Sequence, residues 1–287
     1  MIAIGTQFYP MAEGAGDRQR RAREALLRLE DVTRINLQFT DEPFSPEGFR
    51  TLPVLRRDSR TVTGSRSRRK PIVSEMFDAL AAAAAAARCR YFVYLNADIE
   101  VTPHAIARIQ SGGRDGYAFC RVDVDPATRV PLQVQIFGID MFAIDVAWWQ
   151  RHRRRFRPYI AGEPCWDNVY ASVLCSHGNA EIVHDAPGIF HEMHATTRGA
   201  DLFAQYNAYL ATLDAPYFSR WAAYVARLQA SQATGADVDG PGLATEVFRG
   251  QTRSLRDYAV HAARQLRARV RFARTRARLL RQERAGC

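Results

Sequence analysis

The chain has 287 residues, enough for one large α/β domain with additions or for two small domains. An apolar share of 47% and an aromatic share of 10% exclude a disordered protein, and no apolar run approaches the roughly 20 residues that span a bilayer. The net charge of +10 is uneven: residues 253–287 hold eleven arginines against Asp257 and Glu283, or +9, which leaves +1 for the rest. The five cysteines (Cys89, Cys120, Cys165, Cys175, Cys287) form no C-x-x-C pair. With no basic region or cleavage pattern after Met1, they predict reduced thiols in a cytoplasmic protein without a secretion signal.

In chain order, Met1 to Gln7 alternates and then opens into Gly14-Ala-Gly-Asp. Arg18 to Leu29 has a helical period, with Ala22, Ala25, Leu26 and Leu29 on one face. Val32 to Phe39 predicts a strand, Asp41 to Leu52 a proline-rich connection, and Arg56 to Lys70 a basic, Ser/Thr-rich loop. Pro71 opens a helix over Ile72 to Arg88, which seven alanines extend. Tyr91 to Leu95 is a short buried strand that runs into Asn96-Ala97-Asp98. Pro103 to Ile109 predicts a helix, and Gly116 to Val124, Val130 to Phe137 and Gly138 to Ile144 predict three strands. Trp148 to Arg157 is a basic aromatic helix or loop, Pro164 to Ser176 a helix, and Glu181 to His184 a last short strand. Strands alternating with helices predict an α/β sheet, parallel at least in its first half. Leu202 to Leu228 reads as two helices around Pro216, and Gly235 to Gly242 as a linker. This divides the chain into a catalytic domain (1–215), a helical segment and linker (216–252) and a basic helix (253–287).

Four clusters have the composition of a site. Asp98 follows a buried strand, where open α/β sheets bind ligands, and either ligates a divalent cation or simply closes an Asx turn. Mn²⁺ or Mg²⁺ takes oxygen ligands and lets substrate phosphates complete its shell. Asn96 is placed to orient Asp98 or a metal-bound water. In Gly162-Glu-Pro-Cys-Trp-Asp-Asn168, Asp167 is either a general base toward a hydroxyl or an acid favoured by the first helical turn, with Trp166 as a wall for a sugar ring. His191-Glu-Met-His194 has a spacing that allows shared ligation from a helix face or a loop, but lacks one residue of the H-E-x-x-H of zinc proteases. Cys165, Cys175, His177 and His184 match no standard zinc spacing. Arg66 to Lys70, before a helix start, is either a phosphate site or a solvated loop. No P-loop, G-x-G-x-x-G or G-x-S-x-G is present.

The order of these clusters over Met1 to Ala200 resembles the GT-A glycosyltransferase superfamily, specifically bacterial glycosyltransferase-like proteins with an N-[SA]-D-I motif. The resemblance rests on Lys70-Pro71 at a helix start, Asn96-Ala-Asp98-Ile after a strand, Gly138-x-Asp140-x-Phe142, Trp166-Asp-Asn168 and His191-x-x-His194. It implies a GT-A-like, Rossmann-like open and mostly parallel sheet flanked by helices, with a helical extension outside the match. It also implies a nucleotide-diphospho-sugar donor and transfer of its sugar to an acceptor hydroxyl, for polysaccharide, glycolipid or cell-envelope glycan synthesis. By that likeness Gln7 and Lys70 lie near the nucleotide, and Asp98 holds Mn²⁺ or Mg²⁺ on the diphosphate with His191 or His194. Asp140 faces the donor sugar, and Asp167 corresponds to the base of inverting members. Asn96 departs from the first Asp of the usual D-x-D.

The tail places Leu255, Ala259, Ala262, Leu266, Val270, Ala273, Ala277 and Leu280 on one helical stripe with arginines on the other faces. It predicts attachment to an anionic membrane surface at the inner face, pairing in a homodimer, or packing on the chain's own catalytic domain. A glycan or lipid-linked acceptor fits the first. Two other functions share the composition: a sugar-nucleotide-binding protein without catalysis, and a nucleic-acid-binding protein acting through the tail. Against the last, only Tyr258 and Phe272 interrupt the basic residues.

Overall fold

Five uncharged residues, Ile2–Thr6, make strand β1, buried along its whole length. It is the first strand of a sheet surrounded by ten helices in the computed structural model, which describes residues 1–10, 15–42, 44–64, 69–184, 188–194, 200–213, 216–234, 240–250 and 255–285. Helix α1 (Ala15–Leu27) leads to β2 (Val32–Phe39), β3 (Arg50–Leu55), the single turn α2 (Ser59–Thr63) and α3 (Val73–Ala86). Then come β4 (Tyr91–Leu95), β5 (Ile99–Val101), α4 (Pro103–Gly112), β6 (Gly116–Val124), β7 (Pro131–Asp145) and α5 (Val146–His152). After a 3-10 turn at Arg153–Arg155, α6 (Trp166–His177), β8 (Ala180–Val183) and β9 (Ile189–Glu192) complete the sheet. Helices α7 (Ala200–Leu210), α8 (Pro216–Ala233), α9 (Gly240–Arg249) and α10 (Leu255–Ala285) follow.

The strand order is β3-β2-β1-β4-β7-β6-β9-β5, with β8 on β6. β1 to β4 run parallel, β7 runs antiparallel between β4 and β6, and β8 and β9 are parallel to β6. The sheet is therefore α/β, mixed and mostly parallel. Chain direction across it reverses between β1 and β4, and open α/β sheets bind ligands beyond the carboxyl ends at such a point, here next to Gln7 and Asn96.

Both faces are covered. Leu26 of α1, Leu29 just after it, and Ala105, Ile106 and Ile109 of α4 pack on Ile2, Ile4 and Val93. On the other face α3, α5 and α6 build an aromatic core around Phe77, whose ring meets Phe92, Tyr94, Phe142, Trp149 and Tyr170. Tyr206 and Tyr209 of α7, Trp221 and Tyr224 of α8, and Val247 and Phe248 of α9 belong to that same core. The expected linker from Gly235 to Gly242 is thus corrected in its described part. Leu243, Ala244, Val247 and Phe248 gain enough burial to outweigh the helix cost of Gly240 and Gly242.

Three more expectations change. β3 and α2 occupy stretches that read as a proline-rich connection and a loop. Pro53 is tolerated because β3 is the sheet's edge, and α2 is capped by Asp58, which accepts from the Thr61 N–H at 2.7 Å, and by left-handed Gly64. Val130–Phe137 and Gly138–Ile144 form one bent strand, β7. Its register with β6 jumps from Cys120↔Ile139 to Arg121↔Gln135, and Gly138 sits at the bend, where a Cβ would lie 3.0 Å from Arg121 Nε. β5, at three residues, was too short for any period to show.

Candidate functional site

Local geometry at the end of β4 brings the first group together. A turn closed by the Ile99 N–H on the Asn96 carbonyl (3.2 Å) leaves Asp98 at its tip, and the chain re-enters the sheet as β5. β5 pairs antiparallel with β9, setting Ile99 opposite His191. β9 pairs parallel with β6, setting Asp123 opposite the same histidine. His191 is therefore bracketed by two carboxylates. Its Nε2 lies 3.6 Å from Asp98 Oδ2, and its Nδ1 lies 3.1 Å from Asp123 Oδ1. His194, two residues past β9, reaches the same Asp98 oxygen with Nε2 at 3.3 Å.

One ligand atom from each of Asp98, His191 and His194 falls within 4.8 Å of the others, the spread of a single coordination shell. The three residues come from a turn, a strand and the loop beyond it, not from one helix face. Burial opposes ionisation of Asp98, but hydrogen bonds and charge from both histidines outweigh it and hold the carboxyl well below the usual range. Asp123, 3.1 Å from Nδ1, orients the His191 ring so that Nε2 faces Asp98 and is the nitrogen that would ligate a cation there. These residues fit a divalent cation. Two imidazoles with one carboxylate suit Mn²⁺ better than Mg²⁺, which favours an all-oxygen shell.

The second group is the pair Asp140 and Asp167. Asp140, on β7, is 5% exposed, and burial pushes its carboxyl up against the pull of Arg121. Asp167, in the first turn of α6, accepts from the Ile139 N–H at 3.3 Å and is only partly buried. Burial and then the charge of Asp140 push it up to about 7, outweighing the backbone donors at the helix start. Arg121 joins the two groups, with Nε 3.0 Å from Asp123 and Nη1 3.0 Å from Asp140. Asp98, Asp123 and Asp140 all act on this one guanidinium, which leaves an acidic centre that a cation would balance.

Several expected roles shift. Asn96 does not orient Asp98: its Nδ2 donates to Asp140 Oδ1 at 2.5 Å, and its Oδ1 accepts from the Tyr94 hydroxyl at 3.1 Å. An aspartate there would set a second carboxylate against Asp140, which gives a physical reason for the departure from D-x-D. Trp166 is no wall for a sugar. It is 3% exposed, with its ring packed on Tyr94, Phe142 and Tyr170 because that face of α6 fills the core. Lys70 is ion-paired with the buried Glu163 at 2.6 Å, so its charge anchors the loop before Asp167. Arg69 is tied to Asp41, Glu42 and Asp58, while the remainder of that basic loop, 65–68, lies outside the described residues. Gln7 follows β1 at a half-buried position; beside it, the Phe8 N–H donates to Asn36 at 3.0 Å and its carbonyl accepts from Gln38.

Asp123 and Arg121 were missed from sequence because their partners lie on other strands. Their signal was polar residues in an otherwise apolar strand, Cys-Arg-Val-Asp-Val. A surface depression lined by Met1, Leu29, Asp31 and Arg34 lies at the amino ends of β1 and β2, at the opposite edge from this chemistry.

No family model and no curated protein matches the sequence. Among solved structures, the chain is similar to S. aureus TarS 1–349 in complex with UDP-GlcNAc, at 9% identity and a TM-score of 0.47 over 94% of this chain and 80% of that one. It is also similar to a second crystal structure of S. aureus TarS 1–349 (9%, TM-score 0.40, 74% and 72%). A third is a glycosyltransferase involved in the glycosylation of the major capsid of PBCV-1 (11%, TM-score 0.36, 73% and 98%). At such identities and TM-scores, what the chain does has to be read from its own side chains.

Proposed function

We propose that this protein is a glycosyltransferase that moves a sugar from a nucleotide-diphospho-sugar to an acceptor hydroxyl on a glycan or a lipid-linked acceptor. The observation that carries this reading is the pairing of two unlike groups past the carboxyl end of β4. A low-pKa carboxylate stands with two histidines, and Arg121 links the carboxylate behind His191 to Asp140, whose charge in turn helps poise Asp167 near neutrality.

The residues divide the work. Asp98, His191 and His194 would hold Mn²⁺, which would supply positive charge to offset that of the diphosphate leaving group. Asp123 orients the His191 ring. Without a cation, Asp98, Asp123, Asp140 and Asp167 repel a diphosphate, so donor binding depends on metal. Asp167, ionised above about pH 7, accepts the proton of the acceptor hydroxyl. The acceptor oxygen bonds to the anomeric carbon as the bond from that carbon to the phosphate oxygen breaks, with its electron pair going to the diphosphate. Asp140, held by Asn96 and Arg121, keeps Asp167 basic through its charge and faces the donor sugar.

Incubation with a panel of nucleoside diphosphate sugars and Mn²⁺ tests the proposal. Release of nucleoside diphosphate from at least one donor, lost in Asp167→Asn, is the expected result. Binding of a donor with no release under any condition would instead make this a sugar-nucleotide-binding protein without catalysis.

A further inference from the structure

Helix α10 packs on the body with a different face from the one its sequence pattern suggests. The half-buried positions between 262 and 278 are Gln265, Ala268, Phe272 and Arg276. Phe272 meets the Tyr209 ring at 5.4 Å, Gln265 Nε2 donates to the Leu213 carbonyl at 3.0 Å, and Arg276 donates to the Thr61 carbonyl at 2.6 Å. The apolar stripe Ala259, Ala262, Leu266, Val270, Ala273 and Ala277 is exposed throughout, with Leu266 at 63% and Val270 at 43%. At 3.6 residues per turn, its centre lies roughly 120° around the helix from the packed face. Arg264, Arg267, Arg271, Arg274 and Arg278 line the adjoining face, centred roughly 120° beyond the stripe and likewise turned from the packed side. None of the five forms an ion pair or hydrogen bond with a described residue.

We infer that this outward face of α10 is a docking surface for an anionic lipid bilayer, with the arginines over the headgroups and Leu266 and Val270 at the acyl boundary. Charge complementarity selects the occupant. A second copy of this helix, with ten arginines against Asp257 and Glu283, would bring another +8 against the same arginines, and a stripe of alanines with two larger residues is too thin for a dimer core. Nucleic acid would leave the apolar stripe unused, and Phe272, the aromatic suited to stacking on a base, is turned onto Tyr209. No helix among the described residues is long and apolar enough to cross a membrane, so the contact is peripheral. Each arginine brought to an anionic surface contributes about fivefold to binding, and the effect is screened by salt.

Co-sedimentation of the full chain with two kinds of vesicle tests this, independently of any sugar transfer. One kind is phosphatidylcholine alone, and the other contains about one-third phosphatidylglycerol. The chain should pellet with the anionic vesicles at low salt, not with neutral ones, and be released at high salt. Replacing all five arginines with serine should weaken binding on the order of a thousandfold. Leu266→Glu with Val270→Glu should weaken it less, and Arg276→Ser, on the packed face, should leave it unchanged. Circular dichroism and thermal melting confirm that each variant is folded. Equal pelleting with both vesicle types, or undiminished binding by the five-arginine variant, would overturn the inference. So would a dimer in sedimentation that Leu266→Glu dissolves, or tighter binding to an RNA duplex than to vesicles at the same salt.

Discussion

Replacing Asp167 with asparagine should abolish transfer and stabilise the fold, and the stabilisation should depend on pH in one particular way. The folded-state pKa of Asp167 is raised from 3.8 to about 7. The folded chain therefore keeps a proton that the unfolded chain gives up near pH 4. The favourable contribution of the protonated carboxyl is complete below pH 4 and is lost as pH rises to about 7, beyond which the cost of the buried anion stays constant. At about 1.4 kcal/mol per pKa unit, the ceiling is about 4 kcal/mol. Side-chain relaxation and partial solvent access bring the expected gain to about 1–3 kcal/mol. For a chain of this size that is roughly 2–4 °C in Tm per kcal/mol. Melting wild type and Asp167→Asn from pH 4.5 to 8.5 should show curves that nearly coincide at the acid end and separate up to pH 7. Transfer by the wild type should rise through about pH 7 as the base ionises, and the variant should have none at any pH. A Tm difference that does not change with pH, or full transfer by the variant, would refute both the shifted carboxyl and its role.

Other changes probe the neighbours. Asp123→Asn should lower Mn²⁺ affinity about 10–100-fold by calorimetry, because it weakens the hold on the far nitrogen of His191 and removes the charge paired with Arg121. Asn96→Asp should restore the look of a D-x-D motif and yet destabilise the chain by about 1–3 kcal/mol in chemical denaturation, since it faces Asp140 at hydrogen-bond distance. Lys70→Ala should cost about 1–3 kcal/mol by stranding the buried Glu163, and adding Glu163→Gln should recover most of that loss. No recovery in the double variant would mean that Lys70 acts elsewhere.

The sheet was legible where one segment carried its own pattern. Val32–Phe39, Tyr91–Leu95 and Gly116–Val124 all read as strands from local apolar runs, and the Pro71 helix from its proline and alanines. β5 was not, because three residues have no period and its existence depends on pairing with β9. That pairing draws Asp98 and His191, distant in sequence, into one cluster with His194. The individual members of that cluster were readable as residue types in order, but the carboxylate behind His191 was not. Asp123 is recruited by a parallel register between β6 and β9, which no local pattern encodes. Trp166 misled for a related reason: beside Asp167 in sequence, it points into the core while Asp167 does not. The tail's stripe was real as a pattern, but it did not mark the packed face. Phe272 and Gln265 chose a different one through contacts with α7 and the Leu213 carbonyl.

The most direct test of the donor site is a calorimetric titration of nucleoside diphosphates into the protein, with Mn²⁺ and with a chelator. The Asp98, His191 and His194 cluster predicts that at least one nucleoside diphosphate binds with Mn²⁺, that the chelator abolishes binding, and that Asp98→Ala abolishes it even with Mn²⁺. Equal affinity in chelator, or unchanged affinity in Asp98→Ala, would contradict a metal-held diphosphate at the end of β4.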